Sequence, residues 1–162
     1  MMMPKMQPVP IKTKNNPLIV RIWRWITSIR KWVLTEDWTH KLPDGTTILI
    51  EKGFDFDGAS IPRPLWALLS PVGLLLIPGL IHDYAYRYDY LIAVDGNGNR
   101  SKYKANAGRK QWDRLFREVG KDVNGLALID MLAWLALSVG GWWAWYRRRK
   151  EARLRIRPRY TG

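Results

Sequence analysis

Apolar positions along the chain fall into blocks with different periods. In residues 21–33, RIWRWITSIRKWV, Ile22, Trp25, Ile26, Ile29, Trp32 and Val33 recur at i, i+3, i+4 and i+7. Arg21, Arg24, Ser28 and Lys31 fall opposite, which predicts an amphipathic helix. WVLTEDWTHKL, residues 32–42, alternates loosely, Pro43-Asp44-Gly45 supplies a turn, and TTILIEKGFDF follows. That order predicts a β-hairpin. Gly58, Pro62 and Pro64 make FDFDGASIPRPLW a loop. An apolar run over 72–92 passes into a polar-aromatic helix that carries His82, with Pro78 in its first turn. DGNGNRSKYKANAG, residues 95–108, reads as a turn-rich loop. A further helix over about 108–121 places Trp112, Leu115, Phe116 and Val119 on one face, with Asp113 beside the stripe. Residues 123–146 hold one charge, Asp130. Their length suits either a membrane-spanning helix, which needs about 20 residues, or a core helix. The expected fold is α+β, with an N-terminal β-hairpin leading into a bundle of about three helices.

Charge divides the chain more sharply than hydropathy does. The net charge is +13, yet residues 1–34 hold seven Lys/Arg and no acid, and residues 147–162 hold eight Lys/Arg and only Glu151. The stretch 35–146 holds twelve basic and thirteen acidic residues. The chain thus reads as a basic Trp-rich arm (1–34) with an amphipathic helix, one α+β domain (35–146), and an Arg-rich tail (147–162). A nucleic-acid-binding domain carries its basic patch on the folded body. Here the body is neutral, so a nucleic-acid contact through the tails is the least favoured partner. Basic arms by themselves fit an anionic membrane surface, a nucleic-acid backbone or an acidic protein partner about equally well, and ten tryptophans tilt the choice towards a membrane. The residues expected to make that contact are Arg21, Trp23, Arg24, Trp25 and Trp32, then Trp142, Trp143, Arg147, Arg148 and Arg149. The last group, with Trp145 and Tyr146 between its tryptophans and arginines, follows the pattern of an aromatic belt with a positive flank. With no cysteine, neither a disulfide nor a Cys-ligated metal is possible. The proline-broken N-terminus has no apolar core of a signal peptide, which points to synthesis in a cytosol.

The candidate chemistry rests on carboxylates and one imidazole. The chain has two histidines, His40 and His82. His82 and Tyr86 are four apart on a helix and share a face, whereas Asp83 looks sideways. If two antiparallel helices pack through these faces, Asp113 can bond one ring nitrogen of His82. The other nitrogen then serves as general base, and Asp83 is left for a cation. A set of carboxylates and loop carbonyls around Asp57-Gly58-Ala59 suits Ca²⁺ better than zinc. The same residues have plainer uses: a His-Asp pair as a helix-end hydrogen bond, Asp57 as a turn former, and Arg63 as the partner of a core carboxylate. DGNGN begins like a calcium loop, but Arg100 stands where glycine is needed and Asn106 where the bidentate Glu belongs, so it reads as a turn.

Three motifs occur in order: Gly53-Phe54-Asp55-Phe56-Asp57-Gly58-Ala59-Ser60-Ile61-Pro62-Arg63, His82-Asp83-Tyr84-Ala85-Tyr86, and Asp113-Arg114-Leu115-Phe116. Over residues 31–146 the chain resembles a phage and prophage family of unassigned function. It departs at Trp112, where a small residue is expected before the Asp. The resemblance implies a bacteriophage product and supplies no activity. Because a small phage protein is more often structural than catalytic, the favoured expectation is a virion component of the tail or entry apparatus, or a membrane-interaction component, with a phospholipase A2-like hydrolase as the alternative. It would be made in the host cytoplasm and found in the virion or at the host membrane, in contact with phospholipid or other phage structural proteins. H-D-x-x-Y followed by D-x-x-F also resembles secreted and parvoviral phospholipases A2. That resemblance implies that His82 activates water, Asp113 orients His82, Tyr86 braces Asp113, and Asp83 binds Ca²⁺. Asp57 would be a second cation ligand, supported by Ser60 and Arg63.

Overall fold

The computed structural model describes residues 3–9, 17–19, 31–56, 75–125, 145–146 and 149. The expected helix over 21–33 lies outside the described residues up to residue 30. So do the loop with Asp57, Ser60 and Arg63, and the hydrophobic segment from 126 to 144 with Trp142 and Trp143. Arg147 and Arg148 are likewise outside.

Among the described residues the fold is α+β, with two sheets and two long helices rather than three. The hairpin around Pro43-Asp44-Gly45 is present. Strand β3 (Trp38–Lys41) pairs antiparallel with β4 (Thr47–Ile50), Trp38 opposite Ile50 and Lys41 opposite Thr47. Gly45 closes the turn at φ +88°, donating its N–H to the Leu42 carbonyl at 2.9 Å, and the Thr46 N–H reaches Asp44 Oδ1 at 3.0 Å. A left-handed residue at this point is what a short hairpin loop demands. Along β3 the side chains alternate, Trp38 and His40 inward, Thr39 and Lys41 outward.

The same sheet continues where a loop was expected. Strands β6 (Leu91–Val94) and β7 (Arg100–Tyr103) form a second hairpin, giving the order β3-β4-β6-β7. Its turn is the DGNGN segment, with Asp95 Oδ1 accepting the N–H groups of Asn97 and Asn99 at 2.9 and 2.8 Å. A three-stranded antiparallel sheet holds β1 (Met6–Pro8), β2 (Trp32–Leu34) and β5 (Asp55–Phe56) in the order β1-β2-β5. Part of the proline-rich arm is therefore an edge strand, the place in a sheet where proline is tolerated. Trp32 and Val33, which belong both to the helical stripe and to the alternating stretch 32–42, are strand and not helix. They close the 3.6-residue stripe of the preceding segment but pair with Phe56 and Asp55, and the partner strand decides.

Helix α1 (Leu76–Tyr88) is buried from Leu76 to Arg87. Pro78 sits in its first turn, where a missing N–H removes no helical bond. Helix α2 (Arg109–Asn124) ends at Gly125 in the left-handed conformation, with Trp112, Leu115, Phe116 and Val119 buried on one face. Asp89, just past α1, bonds Gly108 and Trp112 at the start of α2, so the two helices run antiparallel. The core they share with the four-stranded sheet includes Ile48, Ile50, Leu80, Tyr84, Leu91 and Trp112. No helix among the described residues is long and apolar enough to cross a membrane.

His40 makes this core sensitive to acid. Its ring stacks on Trp38, its Nε2 has no hydrogen-bond partner among the described residues, and burial holds its pKa below the ordinary 6.5 against the opposing charge of Asp122. As pH falls, the unfolded chain takes up this proton before the folded one. The contribution is therefore complete above pH 6.5 and is lost as pH falls towards the lower folded value. Urea unfolding between pH 7.5 and 5 should show falling stability, with a shallower fall in His40→Phe.

Candidate functional site

The antiparallel packing of α1 on α2 brings His82, Tyr86 and Asp113 together inside the protein. His82 Nε2 lies 3.0 Å from Asp113 Oδ1, with the two side chains 4% and 5% exposed. The Tyr86 hydroxyl donates to the same oxygen. The other carboxylate oxygen, Oδ2, takes the Arg109 guanidinium at 3.2 Å. All three donors converge on one carboxylate because of helical spacing. His82 and Tyr86 stand one turn apart on α1, and Arg109 stands one turn before Asp113 on α2. The His82 ring lies against the Tyr86 ring, centroids 3.9 Å apart, and meets the Phe116 ring edge-on at 5.4 Å. Aromatic walls thus fix the imidazole plane on two sides.

These contacts set the protonation pattern. A carboxylate accepts, so the proton on His82 is at Nε2, and in the neutral ring the lone pair is at Nδ1. Burial, reinforced by the bond to Asp113, pushes the Tyr86 phenol well above its ordinary range, and it stays a donor. Arg109 is the site residue that the motifs do not mark, although its i, i+4 spacing to Asp113 is visible in the sequence. It balances the buried carboxylate charge.

A second polar cluster sits further along α1. Arg87, 2% exposed, donates from Nη1 to Asp55 Oδ1 at 2.8 Å and from Nη2 to the Asp55 carbonyl at 2.7 Å. Its guanidinium lies 4.5 Å from the Phe54 ring centroid. Lys31 approaches the other Asp55 oxygen at 3.8 Å. This clamp ties the Gly53–Arg63 motif, at its strand end, to the helix that carries His82.

Asp89 forms a third node. It takes the left-handed conformation at φ 60°, and its N–H caps α1 on the Ala85 carbonyl. Its Oδ1 accepts the Gly108 N–H at 3.0 Å and the Trp112 indole N–H at 2.8 Å. Trp112, the departure from the expected small residue, therefore anchors α2 to the end of α1. This fixes the register that puts Asp113 opposite His82.

Asp83 is buried on α1 beside His82. Among the described residues no group of three or more His, Asp or Glu is placed to hold a metal ion. Calcium takes about six to eight oxygens. The carboxylate of Asp55 is bound by Arg87. Asp57, Ser60 and Arg63, the other residues expected at a cation site, lie outside the described residues. Of the expected surface residues, Trp32 is half-buried against the core. Arg149 turns inward, 3.8 Å from Asp89 Oδ2 and 5.6 Å from the Trp145 ring centroid.

A family model described as protein of unknown function, DUF1353, matches residues 32–137. No curated protein and no solved structure matches the chain.

Proposed function

Because the chain belongs to the DUF1353 family of proteins of unknown function, a function has to come from its own site, and we propose that it is a phospholipase A2-like ester hydrolase acting on phospholipid. The observation that carries the reading is the buried contact of His82 Nε2 with Asp113 Oδ1 at 3.0 Å, braced by Tyr86 on the same oxygen. Asp113 holds the tautomer in which Nδ1 is the base. His82 takes a proton from water, the water oxygen bonds the acyl carbon, and the ester C–O bond breaks. The proton then passes from His82 to the leaving alcohol. The imidazolium formed midway is stabilised by the Asp113 charge. The basic ends, with seven and eight Lys/Arg, support an anionic phospholipid surface as the place of action. On this reading the protein serves a phage at the host membrane. No step is routed through a cation, and Ca²⁺ enters as a variable of the test. The full chain, mixed with phosphatidylglycerol vesicles in Ca²⁺ or in chelator, should release fatty acid and lysophospholipid by mass spectrometry. Release of neither under both conditions would sink the hydrolase.

A second reading is favoured by the Arg109 ion pair. A carboxylate that already holds a guanidinium, beside a histidine side chain 4% exposed, suits a polar lock between two helices. The protein would then be a non-enzymatic virion or membrane-docking component, its arms gripping lipid or partner chains.

A further inference from the structure

Tyr86 is held from two sides. Its ring lies against His82 at 3.9 Å on one side. On another it meets the Trp145 ring edge-on, centroids 5.1 Å apart and planes at 90°. Trp145 comes from far along the chain, beyond residue 137 where the family match ends. It is half-buried against the core, whereas its neighbour Tyr146 is 61% exposed. The Arg149 guanidinium lies over the Trp145 ring, 5.6 Å from its centroid, and reaches Asp89 Oδ2 at 3.8 Å. Asp89 is itself fixed, since its Oδ1 holds Gly108 and the Trp112 indole. A continuous series of contacts therefore runs from the start of α2 through Asp89, Arg149 and Trp145 to Tyr86, and from there to the oxygen of Asp113 that His82 shares.

The geometry points to Trp145, held by Arg149, as a positioning residue of the His82–Asp113 site. The inference deepens the hydrolase reading by giving the site a strap made of these two side chains. Its physical basis is simple. Tyr86 can donate to Asp113 only if its ring stays upright beside His82, and an edge-on tryptophan blocks the ring from swinging out. Aromatic pairs of this geometry are worth enough to change a local opening equilibrium about three- to tenfold. The Arg149–Asp89 pair is partly exposed and weak by itself. It acts by keeping Trp145 in place.

The test reads the site without substrate. Because the full chain has two histidines, ¹⁵N-histidine labelling reports two imidazole rings, and His40→Phe assigns them. Exchange of the His82 Nε2 proton with water is then measured. Trp145→Ala should exchange about three- to tenfold faster than wild type, Arg149→Gln should fall between, and Trp145→Phe should restore the slow rate. Tyr146→Ala should leave it unchanged, and amide exchange of Ile48 and Ile92 in the sheet should not move in any variant. Unchanged His82 exchange in Trp145→Ala overturns the inference. So does equal acceleration of His82 and the sheet amides, which is mere loss of stability. If Trp145→Ala does not fold, unchanged exchange in Arg149→Gln overturns it instead. Wild type that hydrolyses no lipid but shows this pattern sinks the enzyme and leaves the strap standing; the reverse result does the opposite.

Discussion

Asp113→Asn is expected to lower ester hydrolysis by about 10²–10⁴-fold, the range that a positioned base contributes. The side chain keeps its size, and one oxygen can still accept from Tyr86. What is lost is the charge. An amide no longer stabilises the imidazolium that forms on His82, and its NH₂ can donate to the ring and impose the wrong tautomer. Arg109 faces the same carboxylate at 3.2 Å and loses its counter-ion. Because Arg109 is partly exposed, a stability loss of only about 1–2 kcal/mol is expected. The two effects separate in practice. Urea unfolding should show a folded, modestly weakened protein, and initial rates of fatty-acid release should show the large loss.

The largest stability effect is expected at Arg87. In Arg87→Met the stem still packs, but Asp55 loses the guanidinium from its Oδ1 and from its main-chain oxygen. The Asp55 side chain is only 17% exposed, and Lys31 approaches its other oxygen at 3.8 Å. Removing one member of such a buried pair costs about 3–5 kcal/mol, mostly from the stranded partner. Urea unfolding should place Arg87→Met near the low end of that range, since Lys31 compensates in part. The double variant Asp55→Asn/Arg87→Met should recover part of the loss. A double variant as unstable as Arg87→Met would show that packing on Phe54, not the ion pair, carries the effect.

The features legible in the sequence were those set by local period. The α2 stripe of Trp112, Leu115, Phe116 and Val119 follows helical spacing without interruption, and Pro43-Asp44-Gly45 marks the first hairpin. The meeting of His82 with Asp113 follows from the same spacing once the helices are taken as antiparallel. The second hairpin was hidden by its entry. Helix α1 ends at Asp89 in a left-handed conformation that usually advertises itself with glycine. Only Tyr90 separates it from β6, so the apolar run to residue 92 looked continuous. Strand β7, Arg100-Ser101-Lys102-Tyr103, is a polar edge strand with no alternation to read. The Arg87–Asp55 clamp joins residues thirty-two apart. No local pattern encodes such a pair. Trp145 reads as part of an aromatic belt, and only the fold shows it against Tyr86.

The central claim is that His82 and Asp113 work as one catalytic unit. Fatty-acid release from phosphatidylglycerol vesicles, compared among wild type, His82→Ala, Asp113→Ala and the double variant, tests it most directly. Residues acting as a unit are not additive. The expected result is therefore a wild-type rate well above background, with the double variant no slower than His82→Ala alone. A His82→Ala rate equal to wild type, or losses that simply multiply in the double variant, would contradict the account.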